Sequence, residues 1–140
     1  VLIPDTYVED LGTRLSLYRR LADLETDEER EGFAAELIDR FGPLPDATRQ
    51  LLDVTGVKIQ CKRLGVAKVS AGPRGVVLTF REDAPIDGGK LIAYVHKHPD
   101  KLKLRPDNKL VSQVVATDAQ GRLKAVRHML KDLAGAALRG

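Results

Sequence analysis

The chain has 140 residues, of which 43% are hydrophobic and 31% are charged. This size and composition are typical of one globular domain and exclude an intrinsically disordered chain. The apolar runs are far shorter than the roughly 18 residues that a membrane-spanning helix needs. The single cysteine, Cys61, excludes an intramolecular disulfide.

The formal net charge of +3 conceals a division between two halves. Residues 1–60 contain 7 Lys and Arg against 13 Asp and Glu, a balance of −6, whereas residues 61–140 contain 16 against 7, a balance of +9. Such a division bears on partners rather than on fold. The chain begins at Val1 with no methionine and no leader pattern, so we expect it to be a piece of a longer protein.

The first predicted helix runs over Asp10–Leu24 and follows an extended lead-in over residues 1–9. Apolar side chains recur there at the spacing of one helix face. The residues predicted to form that face are Leu11, Leu15, Tyr18 and either Leu21 or Ala22.

Two more helices are predicted in the acidic half. Thr26 and Glu29 fit a capping box at the start of the second helix, and Gly42 ends it. The third helix is predicted over Asp46–Leu64 and ends at Gly65. The apolar stripe of the second helix is Phe33, Leu37, Ile38 and Phe41, and the core candidates of the third are Leu51, Leu52, Val54, Val57 and Cys61.

The basic half changes from helical spacing to the short β-rich runs and turns of hairpins. Strands are predicted over Val66–Ser70, Val76–Arg81, Leu102–Arg105 and Leu110–Val115, and helices over Asp87–Lys97 and Arg122–Leu138. The predicted fold is therefore α+β: a three-helix segment followed by two β-hairpins that alternate with helices, with a small, mostly antiparallel sheet covered by helices.

The sequence predicts no catalytic, cofactor or metal site. Gly88–Lys90 lacks the upstream glycine and the following hydroxyl of a phosphate-binding loop. His96 and His98 end a predicted helix, and no neighbouring residues complete a metal-ligand set. Cys61 has no identifiable base to activate it, so we interpret it as a small core residue.

Two carboxylates of the second helix form a candidate contact. Glu36 and Asp39 are three residues apart and project from nearly the same face, with few positive charges besides Arg30 and Arg40 nearby. Like charges at this spacing are mildly destabilising unless a positive group meets them. The pair is either a solvated face or an acidic contact for a basic partner.

The basic half offers a candidate nucleic-acid patch, because lysines and arginines bind phosphates without reading sequence. Only Phe80 and Tyr94 are aromatic in this half, so it is poorly suited to stacking on single strands. The alternative is a set of ordinary solvated side chains. The residues of the predicted patch are Lys97, Lys101, Lys103, Arg105, Lys124 and Arg127.

Four segments of the sequence resemble one known family. They are LIPDTYVEDLGTRLSLYRRLA (Leu2–Ala22), ELIDRFGPLP (Glu36–Pro45), LLDV (Leu51–Val54) and KRLGVAKV (Lys62–Val69). In this order they resemble the C-terminal domain of the bacterial transcription-repair coupling factors. The resemblance is strong over residues 2–70, and from about residue 82 only the pattern of elements and scattered apolar positions agree.

The resemblance implies that residues 1–140 are a single, non-catalytic regulatory domain at the end of a cytoplasmic bacterial ATP-driven DNA translocase. ATP and magnesium would be cofactors of the parent motor and not of this fragment. RNA polymerase, the repair protein UvrA and DNA would be partners of the parent. No membrane is implied.

In that family the last domain packs against the UvrA-binding module of the same polypeptide, hides the UvrA-contacting surface and restrains the motor. The family's acidic contact falls in its ELIDRFG stretch, which transfers it to Glu36 and Asp39. Arg40 of the same stretch is included in the predicted interface. The alternative function is an accessory DNA-binding domain that uses the basic half.

Overall fold

A computed structural model describes residues 2–139 of the chain. The chain divides into two compact units, Val1–Ile59 and Gln60–Gly140, which are described separately below. The elements are α1 (Leu11–Ala22), α2 (Asp27–Phe41), α3 (Asp46–Leu64), β1 (Val66–Gly72), β2 (Gly75–Phe80), α4 (Gly88–Lys97), β3 (Leu102–Arg105), β4 (Lys109–Gln113) and α5 (Ala119–Ala137). This order confirms the predicted α+β fold.

Some predicted boundaries were wrong by a few residues. Helix α1 ends at Ala22, because the N–H of Asp23 already bonds the carbonyls of Arg20 and Leu21. Helix α5 begins earlier than predicted, because the side chain of Asp118 accepts a hydrogen bond from the N–H of Gly121 and caps it. These corrections all concern the ends of elements, where local caps decide the length.

The first unit has a core made of one face from each helix and of the segment before α1. In that segment the N–H groups of Tyr7 and Val8 both bond the carbonyl of Pro4, so the backbone turns there. The turn brings two apolar side chains of the segment into the core. The buried residues of this cluster are Ile3, Val8, Leu17, Leu21, Phe33, Leu37 and Leu52.

The predicted core face of α1 was wrong at Leu11 and Leu15 and right at Leu21, one of the two alternatives for its last position. Leu11 and Leu15 are 60% and 50% exposed, whereas Leu17 is only 1% exposed. The Leu17–Leu21 side lies about 120° around the helix axis from the Leu11–Leu15 side, at 3.6 residues per turn. Tyr18 lies between the two faces, and its hydroxyl accepts a hydrogen bond from the N–H of Ile3 at 2.7 Å. The segment before α1 therefore selects the face that is buried.

Ile38 of α2 was also wrongly predicted to be core, because it is 49% exposed while its neighbour Leu37 is fully buried. The two side chains differ by about 100° around the helix axis. Only the Phe33–Leu37 side of α2 faces the core of the first unit. Ile38 therefore lies on an exposed side of the helix, about 100° around the axis from Asp39 and about 160° from Glu36.

The second unit contains a four-stranded sheet in the order β1-β2-β4-β3, and every pairing is antiparallel. Helix α5 packs against β1 and β2, and α4 packs against β3 and α5. Helix α5 buries five residues toward this core: Val126, Met129, Leu130, Leu133 and Ala137. The β3–β4 turn places Asp107 and Asn108 at φ 66° and 59°, a left-handed conformation that Asp and Asn tolerate better than most residues.

Replacing Leu17 by Ala should lower the free energy of unfolding by about 2–5 kcal/mol, because a fully buried leucine is removed from a packed core. The matched change Leu15→Ala, in the same helix, should cost less than about 1 kcal/mol, because that side chain is half exposed. Urea denaturation followed by far-ultraviolet circular dichroism measures both. Equal losses would mean that the buried face of α1 is misassigned.

Candidate interaction site on helix α2

The predicted acidic contact lies near the C-terminal end of α2. Thr26 begins this helix: its hydroxyl accepts a hydrogen bond from the N–H of Glu29 at 3.1 Å and lies 3.2 Å from the Glu29 carboxylate. Gly42 ends it with φ 93°, a conformation that favours glycine. These two local signals fix the length of α2 and place Glu36, Asp39 and Arg40 in its last two turns.

Glu36 is held by two arginines. The guanidinium of Arg20, on α1, donates from Nη1 to Oε2 at 2.6 Å and from Nη2 to Oε1 at 2.7 Å. Arg40 donates from Nη1 to Oε2 at 3.3 Å. The guanidinium of Arg20 also lies 5.2 Å from the centre of the Phe33 ring, so the same side chain joins α1 to α2 by charge and by stacking.

The two arginines stabilise the charged form of Glu36. Hydrogen bonds from Arg20, with a smaller contribution from Arg40, lower the pKa of Glu36 from its ordinary value of 4.5 to about 2. The same hydrogen bond raises the pKa of Arg20. The Arg20 and Glu36 side chains are 46% and 36% exposed, so solvent screens the pair and limits its contribution to stability to about 1 kcal/mol at most.

Asp39 differs from Glu36 in having no partner. It is exposed and forms no ion pair with any residue in the 2–139 range. Arg40 faces Glu36 and also lies 4.8 Å from the centre of the Phe41 ring. The structure thus brings the three predicted residues together on one helix end but in different states: the charged Glu36 is paired with Arg20 and Arg40, and Asp39 has no ion pair among the described residues.

Sequence reasoning missed Arg20. It is 16 residues from Glu36, so no helical spacing connects the two. The only signal was the pair Arg19–Arg20 in the last turn of α1, and only the packing of α1 on α2 selects Arg20 as the partner.

The six residues of the predicted nucleic-acid patch are all exposed but lie on three elements. Lys103 and Arg105 are in β3, with Lys101 directly before it, and Lys97 ends α4. Lys124 and Arg127 are on α5, and Arg127 has an interaction within the chain. The sequence order therefore groups residues that belong partly to the sheet and partly to the helices that pack on it.

The three histidines and the cysteine are the candidates for metal binding or catalysis. His96, His98 and His128 are exposed, and the His98 ring packs edge-on against Tyr94. Cys61 is half-buried, and burial raises the pKa of its thiol. Within residues 2–139 there is no group of three His, Cys, Asp or Glu side chains that would hold a metal ion. In the same part of the chain, no helix has the length and apolarity to cross a membrane.

Comparison with known families shows which family this chain belongs to. The model of the TRCF domain matches residues 1–91, which include all of α1, α2 and α3. The chain belongs to the TRCF domain family. The match covers the Arg20–Glu36 pair and Asp39, and it extends to the first residues of α4.

Relatives of this TRCF domain carry one common name. The chain is 35% identical over 132 residues to the "Transcription-repair-coupling factor" of Escherichia coli K12, and the match covers 94% of the chain and 12% of that relative. It is 40% identical over 111 residues to the protein of the same name from Rickettsia bellii, covering 79% of the chain and 10% of the relative. The chain thus spans about a tenth of the length of these relatives.

A solved structure has the same fold. The C-terminal domain of a transcription-repair coupling factor superimposes with a TM-score of 0.76, covering 97% of this chain and 88% of the other at 21% identity. At this identity the likeness concerns the fold of the TRCF domain.

The Glu36 carboxyl should titrate near pH 2, and Arg20→Gln should move its midpoint up toward the ordinary 4.5, because the main hydrogen bonds to the charged form are lost. Carbon-13 NMR of the side-chain carboxyl measures the midpoint. Arg19→Gln, an exposed neighbour without an ion pair to any described residue, should leave it unchanged.

The Arg20–Glu36 pair predicts that the free energy of unfolding depends on pH. Because the pKa of Glu36 is lower in the folded state, its contribution is fully present above pH 4.5 and is lost as pH falls toward 2. The difference in free energy of unfolding between the wild type and Glu36→Gln should therefore shrink across this window. A difference that is constant from pH 6 to pH 2 would contradict the assignment.

Proposed function

We propose that this TRCF domain is the non-catalytic regulatory domain at the C-terminal end of a longer transcription-repair coupling factor, a cytoplasmic bacterial ATP-dependent DNA translocase. In this proposal it masks the UvrA-binding module of the same polypeptide and restrains the motor. ATP and magnesium serve the motor, and RNA polymerase, UvrA and DNA are partners of the whole protein. Membership of the family and the small share of the relatives that the chain spans support this role.

The observation that carries the proposal is the unpaired carboxylate of Asp39 beside Glu36, whose charge is already paired with Arg20 and Arg40. The guanidinium of Arg20 uses both oxygens of Glu36 and joins α1 to α2, which leaves Asp39 as the unpaired carboxylate of this helix end. An exposed, unpaired carboxylate next to an ion-paired one is suited to receive one cation from a basic partner surface.

The arrangement also suits a reversible contact. Exposed charge pairs contribute about 0.2–1 kcal/mol each and weaken as salt rises. Two such contacts, one to Asp39 and one to the remaining acceptor capacity of Glu36, can be exchanged for other interactions when the parent changes conformation.

In the longer protein, Asp39→Asn should raise UvrA binding and ATP hydrolysis about two- to fivefold, the ratio that corresponds to losing one exposed charge pair. Glu36→Gln should raise both further, because it leaves Arg20 and Arg40 unpaired and facing a basic partner. Pull-down of UvrA and a steady-state ATPase assay measure these effects.

Glu31→Gln is the matched control, because it removes one exposed carboxylate from the same helix outside the proposed contact. It should leave UvrA binding and ATP hydrolysis at the wild-type level. If Asp39→Asn and Glu36→Gln change neither quantity, or if Glu31→Gln changes them equally, α2 does not form the regulatory interface.

A further inference from the structure

The sheet of the second unit has two chemically different faces. Side chains alternate along a strand, so every second residue points to the same face. On β2 the buried residues are Val76, Leu78 and Phe80, and on β4 they are Leu110 and Ser112. These residues form the face that α4 and α5 cover. The residues between them, which are half-buried or exposed, form the opposite face.

The strand register aligns this opposite face in rows. Lys68 pairs with Thr79, Thr79 with Lys109, and Lys109 with Arg105. This row crosses all four strands and contains three cations and one hydroxyl. The neighbouring row, joined by the same pairings, consists of Ser70, Val77, Val111 and Lys103. We call Lys68, Lys103, Arg105 and Lys109, the cations of these two rows, the basic sheet face.

The charge of the basic sheet face is uncompensated. The four strands contain no Asp or Glu, and none of the four cations forms an ion pair with another residue of the described chain. Arg105 and Lys109 are directly opposite each other, and like charges in that position are destabilising. No ion pair among the described residues of the second unit offsets this cost, so the four cations are available to an anionic partner.

We propose that the basic sheet face binds the phosphate backbone of duplex nucleic acid without reading its sequence. Strands lie about 4.8 Å apart, so Lys68 and Arg105 at the two ends of the row are separated by roughly 14 Å. Lys103 and Arg105 are two residues apart in one strand, roughly 7 Å. These spacings let separate cations reach successive phosphates, and the hydroxyls of Thr79 and Ser70 are suitable donors to phosphate oxygens.

The composition of the face favours a phosphate backbone over other anionic partners. Its rows contain no aromatic side chain, and Phe80 is buried on the opposite face, so bases of a single strand have no surface to stack on. Protein interfaces are depleted in lysine and depend on aromatic anchors, whereas three of these four cations are lysines. The inference does not depend on the function proposed for α2.

The test compares two variants of the 140-residue chain with the same net charge. One replaces three lysines of the basic sheet face, K68E/K103E/K109E. The other replaces three exposed lysines of the helical layer, K97E/K124E/K131E. The probe is a fluorescein-labelled 20-base-pair duplex, and anisotropy gives the affinity between 20 and 200 mM salt.

The wild-type chain should bind the duplex with a slope of log affinity against log salt of about −3.6, which is −0.9 for each of four phosphates. K68E/K103E/K109E should lose at least about tenfold in affinity at low salt and should flatten the slope by about 2.7. K97E/K124E/K131E should stay within about threefold of the wild type. A single strand of equal length should bind more weakly than the duplex.

Three results would overturn the proposal. The first is no duplex binding at 20 mM salt, and the second is an equal loss in the two variants or a larger loss in K97E/K124E/K131E. The third is that K68E/K103E/K109E loses binding to poly-glutamate but keeps binding to the duplex, which would assign the face to an acidic polypeptide. If a variant fails to show the wild-type circular dichroism spectrum, the lysine-to-glutamine triples at the same positions replace both sets, and equal losses there again overturn the proposal.

Discussion

Leu78 and Leu110 face each other across adjacent strands, and both are completely buried. This contact determines which face of the sheet is turned toward the helices of the second unit. A strand that turns one leucine toward the core turns the residues on either side of it away from the core. With Leu78 beneath the helices, Thr79 must point away from them, and the same holds for Lys109 next to Leu110. A slip of one residue would bury the lysine and expose the leucine. The charge of the basic sheet face thus follows from which residues of the strands form the core.

The first unit is organised by a similar choice, made by packing rather than by alternation. Helix α1 has two sets of leucines at helical spacing, and the turn after Pro4 brings Ile3 and Val8 onto only one of them. Once Leu17 and Leu21 are buried, Arg20 projects beside α2 and meets Glu36. The charge network of the candidate site therefore follows from the rotation of α1.

The sequence predicted those features that are set by neighbouring residues. Thr26 and Gly42 fix the two ends of α2 through local hydrogen bonds and backbone geometry, and both were identified correctly. The buried face of α1 was predicted only in part, because Leu11 with Leu15 and Leu17 with Leu21 satisfy the same spacing and the segment before the helix decides between them. The position of Glu36 and Asp39 on one face was predictable. The hydrogen bonds from Arg20, which pair the charge of Glu36 but not that of Asp39, were not predictable, because Arg20 and Glu36 are 16 residues apart in the sequence. Grouping Lys68 with Arg105 likewise required the register of four strands.

The strand order leaves β1 and β3 at the margins of the sheet, each with one row of backbone groups that no other strand uses. Such margins can recruit a strand from another molecule and so begin aggregation. Here β3 has only four residues, and the pairing of β1 is interrupted between Val66 and Lys68. Lysine side chains at Lys68 and Lys103 add charge repulsion between copies at both margins. The cations of the basic sheet face therefore also disfavour pairing of its edge strands with those of another copy.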